Sequence, residues 1–147
     1  MLVRGIIDLV EKRAGVLRVT DHKTGKAPAS LPQAVAGGSL LQPLIYALAA
    51  EQLLDAPVEA GRLSYCTQRG GYQQIDIAVN QGTRGRIQRV LEIIDGHIQR
   101  GFLAAAPAKD ACEYCDYRPV CGPYEELRVS RKSRDVLDDL NELRGLP

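Results

Sequence analysis

Ile6-Ile7-Asp8-Leu9-Val10-Glu11-Lys12-Arg13-Ala14-Gly15-Val16-Leu17-Arg18-Val19-Thr20-Asp21-His22-Lys23 sets two apolar, β-branched runs on either side of a charged break that ends in glycine. Each run is the length of a strand, and Glu11 to Gly15 supplies the turn, so the stretch predicts a β-hairpin. Asp21 and Lys23 stand two apart on the second run. A strand has a period of two, so both side chains point to one face.

Downstream, Ala27 to Gly38 is rich in Pro, Ala, Ser and Gly and reads as a long loop, a kind of segment that often carries function. Ser39 is placed to cap a helix whose apolar positions Leu41, Leu44, Ile45, Leu48, Leu53 and Leu54 follow helical spacing, ending before Pro57. Gly61 to Thr67 and Tyr72 to Ile77 read as two strands joined by Arg69-Gly70-Gly71. A second helix is predicted from about Thr83 to Gln99, with Ile87, Val90, Leu91, Ile94 and Ile98 on one stripe and Gly101 stopping it. Periodicity then disappears from Phe102 to Pro123. Tyr124 to Leu146 is predicted as one amphipathic terminal helix. The expected class is α/β, with a mixed central sheet in β-β-α-β-β-α order, a cysteine-rich C-terminal tail and a terminal helix. The divisions fall at residues 1–101, 102–123 and 124–147.

The chain has 147 residues, 45% hydrophobic and 25% charged, which is the composition of one globular domain and excludes collagenous and disordered classes. Lys plus Arg total 19 against 18 Asp plus Glu, so a polyanion must be held by a local basic face. No apolar run of about 18 residues exists to span a membrane, and no export signal opens the chain, so a reducing cytoplasm is expected.

A carboxylate beside an ammonium suits metal-dependent phosphodiester cleavage: Asp21 would hold a hard divalent cation, and Lys23 would position the attacking water or offset phosphate charge. Asp8 on the neighbouring strand is the candidate second ligand. For the two aspartates to meet, a bulge or strand divergence at Asp21 is expected. On spacing alone, solvent-facing strand ends with Lys23 in a turn explain the same residues.

Gly5-Ile6-Ile7-Asp8, then Val19-Thr20-Asp21-His22-Lys23-Thr24-Gly25-Lys26, then Gln42-Pro43-Leu44-Ile45-Tyr46 resembles the PD-(D/E)xK nuclease superfamily in its RecB-like exonuclease branch. The resemblance covers about residues 3–125 and implies a restriction-endonuclease-like core that acts on DNA in repair or recombination. It implies that Asp8 and Asp21 bind Mg2+ or Mn2+, that Lys23 is the catalytic lysine, and that Gln42 and Tyr46 face DNA. The spacing of four puts Gln42 and Tyr46 on one helical face. His22, at the variable position, is expected to face away from the metal, with no role. A helicase, fused or associated, is an implied partner. The rival reading is a catalytically silent nuclease-like module that grips DNA or a helicase. The family's N-terminal helix has no counterpart before Asp8, so the chain is expected to be N-terminally truncated, with an exposed face that supports a homodimer.

Cys112-Glu113-Tyr114-Cys115 and Cys121 give three thiols within ten positions, enough for three corners of a zinc or iron–sulfur site. With Gly101-Phe102-Leu103, Ala106-Pro107 and Tyr117-Arg118, the segment is similar to the tail of RecB-like nucleases that carry a [4Fe–4S] cluster. The resemblance implies such a cluster in the full-length protein, its fourth cysteine lying upstream of the first catalytic strand. Zinc is the alternative. Cys66 is expected to be buried mid-strand as a small apolar residue. Two basic groups, Arg84, Arg86 and Arg89, and Arg128, Arg131, Lys132 and Arg134, are candidates for following a nucleic-acid backbone or for plain solvated faces.

Overall fold

Strand β1 (Leu9–Arg13) pairs antiparallel with β2 (Val16–Lys23) in the computed structural model, which describes residues 2–30, 34–102, 105–107, 110–113, 115–121, 124–133 and 135–147. Leu103, Tyr114 and Arg134, named above, lie outside these residues. The hairpin closes over Ala14 and Gly15 alone, with φ of +50° and +86°. Positive φ at both central positions is the primed turn whose twist matches paired strands. The turn is therefore shorter than the predicted Glu11 to Gly15, and Glu11, Lys12 and Arg13 belong to β1. The strand also begins at Leu9, not Ile6. Apolarity misleads here because β1 is a sheet edge that buries little of its side-chain surface, so the pairing rests on backbone bonds and on Glu11 opposite Arg18, 3.0 Å apart.

Helix α1 (Gln42–Leu54) carries the chain over to β3 (Val58–Tyr65), which lies parallel to β2, and β4 (Gln74–Ala78) returns antiparallel to β3. Helix α2 (Gln81–Gln99) follows. The result is a mixed α/β fold around a four-stranded sheet in the order β1-β2-β3-β4, consistent with a restriction-endonuclease-like fold. One face of the sheet is covered by helices. Leu17 and Val19 of β2 pack with Ala47 and Ala50 of α1, while Leu63, Ile75 and Ile77 pack with Leu44 of α1 and Ile87, Val90 and Ile93 of α2. The opposite face is polar enough to meet water, and Arg62 binds Asp76 across the strands at 2.6 and 2.8 Å.

Capping differs from expectation at α1 and agrees with principle at α2. Leu41, not Ser39, precedes α1 and makes no side-chain cap; Pro43 occupies the first turn, where a missing N–H costs nothing. Ser39 Oγ instead donates to the Ala36 carbonyl at 2.7 Å. At α2, Asn80 and Thr83 form a reciprocal capping box.

The two long helices are tied by Glu51, whose carboxylate takes both guanidinium arms of Arg84 at 2.6 and 2.7 Å and also accepts Val58 N–H at 2.9 Å. The Arg84 hydrogen bonds, chiefly, hold the Glu51 carboxyl below its ordinary value against the opposing effect of burial. A carboxyl lowered on folding contributes stability that is complete above its unfolded value and is lost as pH falls through the lowered one. Glu51→Gln is therefore expected to cost about 2 kcal/mol at pH 7 and progressively less below about pH 4, measured by urea unfolding across pH. An unchanged pH dependence would overturn the assignment.

The predicted single terminal helix is broken into α4 (Glu125–Ser130) and α5 (Asp138–Gly145), with the short α3 (Arg118–Cys121) ahead of them. Ser130 Oγ turns back onto the Leu127 carbonyl at 2.7 Å, and the clustered cations after it offer no apolar stripe to bury. α5 is held for a different reason. Leu143 enters the core, Gly37 N–H donates to the Leu146 carbonyl at 2.8 Å, and Arg89 clasps Glu142 at 2.5 and 2.6 Å.

Candidate active site

Along β2 the odd positions face α1: Leu17 and Val19 fill the core, and the next two odd residues are Asp21 and Lys23. The same pleat that buries two apolar side chains thus delivers a carboxylate and an ammonium to the helix-covered face at the strand's end. Asp21 is buried, and its Oδ2 lies 2.5 Å from Lys23 Nζ, off the line of a hydrogen bond. Lys23 Nζ also donates to Gln42 Oε1 at 2.7 Å, and Gln42 Nε2 reaches Tyr46 OH at 3.5 Å. Gln42 is the first residue of α1, so the crossover between parallel strands brings its amide back above the end of β2.

Asp8 arrives from the other side. Leu9 pairs with Thr20, so one further step along this register sets Asp8 across from Asp21, and opposed residues of an antiparallel pair share a face. No bulge lies at Asp21; the irregularity of β2 is at Leu17/Arg18, against β3, and the β1–β2 ladder ends at Leu9 and Thr20 with Asp8 in the bend beyond it. At the bend before β1, Asp8 Oδ2 accepts the His22 N–H at 2.8 Å, and the His22 ring stands 3.8 Å from the same oxygen. His22 is exposed, as its alternation predicts, yet its backbone anchors Asp8, a contribution no side-chain pattern reveals. Gly5 has a comparable hidden part: a Cβ there would lie 3.0 Å from the Tyr46 ring, so the chain leading to Asp8 passes directly over α1.

Asp21, Lys23, Gln42 and Tyr46 are therefore linked through one chain of contacts at one end of the sheet, and Asp8, which is exposed, is tied to the same strand end through the His22 N–H. Their oxygens are the hard donors that Mg2+ prefers, and one or two carboxylates with retained waters suffice for that ion. Asp8 and Asp21 fit this chemistry. Among the described residues no group of three or more His, Cys, Asp or Glu is gathered closely enough to hold a metal.

Cys112, Cys115 and Cys121 are all half-buried and line one cavity of about 480 Å3 with Tyr117 and Arg128. Cys66 does not join them. It is exposed, just past β3, and its Sγ donates to the Lys23 carbonyl at 3.5 Å, because β3 ends at Tyr65 before reaching it. Of the four candidate phosphate-binding cations already engaged, three are Arg84 on Glu51, Arg89 on Glu142, and Arg128 on the Cys121 carbonyl. Lys132 is spent on the Ala105 carbonyl. Two of the three cations near the start of α2, Arg84 and Arg89, are thus offset by carboxylates within the chain.

The sequence profile of the PD-(D/E)XK nuclease superfamily matches residues 1–122. The Gene 69 protein of Mycobacterium phage L5 is 30% identical over 122 residues, which are 81% of this chain. The chain spans 39% of the length of that relative. No helix of the described residues is long and apolar enough to cross a membrane.

Proposed function

The chain belongs to the PD-(D/E)XK nuclease superfamily, and from that premise we propose that it is the core of a Mg2+- or Mn2+-dependent deoxyribonuclease of exonuclease type, acting in DNA repair or recombination. The observation that carries this reading is the convergence of Asp21, Lys23 and Gln42 within 2.5 and 2.7 Å contacts, with Asp8 tied to the His22 N–H at the same strand end. Asp8 and Asp21 would hold the cation, which when bound lowers the pKa of a coordinated water and polarises the scissile phosphate. Lys23 presents its ammonium where negative charge grows on the phosphate oxygens. Gln42 fixes the lysine by accepting a hydrogen bond from its ammonium, and Tyr46 fixes the glutamine. The RecB-like branch is supported by the order of the three motifs, with Gln42 and Tyr46 four apart on α1.

The spacing of Cys112, Cys115 and Cys121 is the ground for a further part of the reading, a [4Fe–4S] cluster in the longer protein with zinc as the alternative; the three thiols line one cavity but are not gathered closely enough here to hold an ion. Three thiols leave such a site one ligand short within this chain, so no catalytic step depends on it.

The test is degradation of linear DNA by protein stripped with EDTA and then titrated with Mg2+ or Mn2+. Turnover that appears with the metal supports the proposal; DNA affinity without turnover at any metal concentration favours a silent binding module and overturns it. Metal analysis of the anaerobically purified protein decides the cysteine reading, which iron with sulfide supports and zinc alone overturns.

A further inference from the structure

The end of β2 continues past Lys23 into Thr24, Gly25 and Lys26, and the turn between β3 and β4 is laced to this segment. Cys66 N–H donates to the Lys23 carbonyl at 3.1 Å, and Thr67 Oγ1 donates to the Thr24 carbonyl at 3.2 Å. Gly70 completes the contact: a Cβ there would lie 2.9 Å from the Gly25 carbonyl oxygen and 2.7 Å from Tyr65 Cβ, so only glycine lets the two segments close. Between them lies a pocket of about 380 Å3 whose walls include Lys26, Ser30, Gln68, Arg69 and Gln73.

Several other cations of the chain are neutralised within it. Arg18, Arg62, Arg84, Arg89, Arg100 and Arg118 each bind a carboxylate. Lys26 and Arg69 are exposed, and neither makes an ion pair among the described residues. Two unneutralised cations with amide and hydroxyl groups around a concave pocket form a site for phosphate oxygens. Tyr72, between the lining residues Gly71 and Gln73, is 69% exposed and is held at a φ of +53°, a conformation unfavourable for an aromatic residue. An exposed ring beside a phosphate site is a surface for base stacking.

We propose that this pocket is a strand-binding subsite which grips the sugar–phosphate backbone of single-stranded DNA next to the cleavage site, with Lys26 and Arg69 on the phosphates and Tyr72 on a base. The proposal rests on the nuclease reading and deepens it. Three residues span at most about 10 Å, so Lys26 lies within a few nucleotides of a phosphate held at Lys23. A pocket of about 380 Å3 admits roughly one nucleotide, whereas a duplex, whose major groove alone is about 12 Å wide, does not enter it.

The test measures binding of a fluorescein-labelled single-stranded oligothymidylate by anisotropy, in EDTA, across a range of salt concentrations. The double substitution Lys26→Gln with Arg69→Gln is expected to weaken binding at least tenfold and to reduce the slope of log affinity against log salt by about 1.4, two phosphates at about 0.7 each. Tyr72→Ala is expected to weaken binding severalfold without changing the slope. Lys12→Gln with Arg13→Gln, which removes two charges from the β1 edge, controls for net charge. An affinity and slope in the double variant equal to those of the Lys12 and Arg13 control overturn the subsite while leaving metal-dependent cleavage, and with it the nuclease reading, intact. Loss of duplex and single-strand binding in equal measure overturns the strand preference. If the unmodified protein neither binds nor cleaves DNA, the nuclease reading itself falls.

Discussion

Replacing Asp21 by asparagine is expected to lower the metal-dependent rate of DNA cleavage by about 10²–10³-fold or more while leaving the protein folded. The carboxylate sits buried at the end of β2, where its charge is matched by the Lys23 ammonium at 2.5 Å. Asparagine has nearly the same shape, so the packing beside α1 is kept, but a neutral amide attracts a divalent cation far less than a carboxylate does. Lys23→Ala is expected to reduce the rate comparably by a separate route. It removes the positive charge aimed at the phosphate and leaves Asp21 without its counter-charge, and a buried carboxylate deprived of its partner is costly. The two variants therefore divide by stability: Asp21→Asn should unfold near the unmodified temperature, and Lys23→Ala below it. The check is the initial rate on linear DNA at saturating Mg2+ together with a thermal melt of each variant. Full cleavage activity in a folded Asp21→Asn protein would remove the basis for the proposed function.

Gly61→Ala should have the largest effect on the scaffold. A Cβ at Gly61 would lie 2.2 Å from the Pro43 carbonyl oxygen and 2.8 Å from Pro43 Cα. These are backbone atoms in the first turn of α1, stiffened by the proline ring, so no side chain can swing aside. α1 must lift from β3, at a cost of about 3 kcal/mol or more and a fall of roughly 10 °C in Tm. Gln42 precedes Pro43, so the same displacement pulls its amide from Lys23 and lowers cleavage as well. Gly85→Ala is the control. It lies within α2 with nothing within 4 Å of its Cβ position, and the change should raise helix stability by up to about 1 kcal/mol. Equal melting temperatures for both variants would contradict the packing of α1 on β3.

Periodicity in the sequence was enough to locate most elements, and its failures share one cause. Patterns of apolar residues report burial, so they found β2, the two long helices and the β3–β4 hairpin, where side chains fill the core. They misplaced β1, an edge strand whose polar residues pair through the backbone, and they ran α4 and α5 together, because the core takes up Leu143 of α5 while the cations after Ser130 offer no apolar stripe to continue the helix. The early start of β3 at Val58 was also missed, since Pro57 and Ala56 look like a loop while Val58 is buried under α1.

What the sequence by itself determined is the chemistry on offer: an aspartate and a lysine two apart on a strand, a second aspartate one hairpin away, and a glutamine and tyrosine four apart on a helix. Local periodicity is sufficient for that, because each pair lies within one element or across one turn. Only the tertiary structure decided which of these groups meet: Asp21, Lys23, Gln42 and Tyr46 do, while Asp8 is tied to the His22 N–H. The antiparallel register sets Asp8 across from Asp21, and the parallel crossover returns Gln42 to within 2.7 Å of Lys23, 19 positions away. It also decided which cations stay unpaired, since Arg84 and Arg89 find carboxylates 33 and 53 residues distant while Lys26 and Arg69 meet none among the described residues. The reason is physical: the partners of a charge are set by how distant segments pack, and no short window of sequence contains that information.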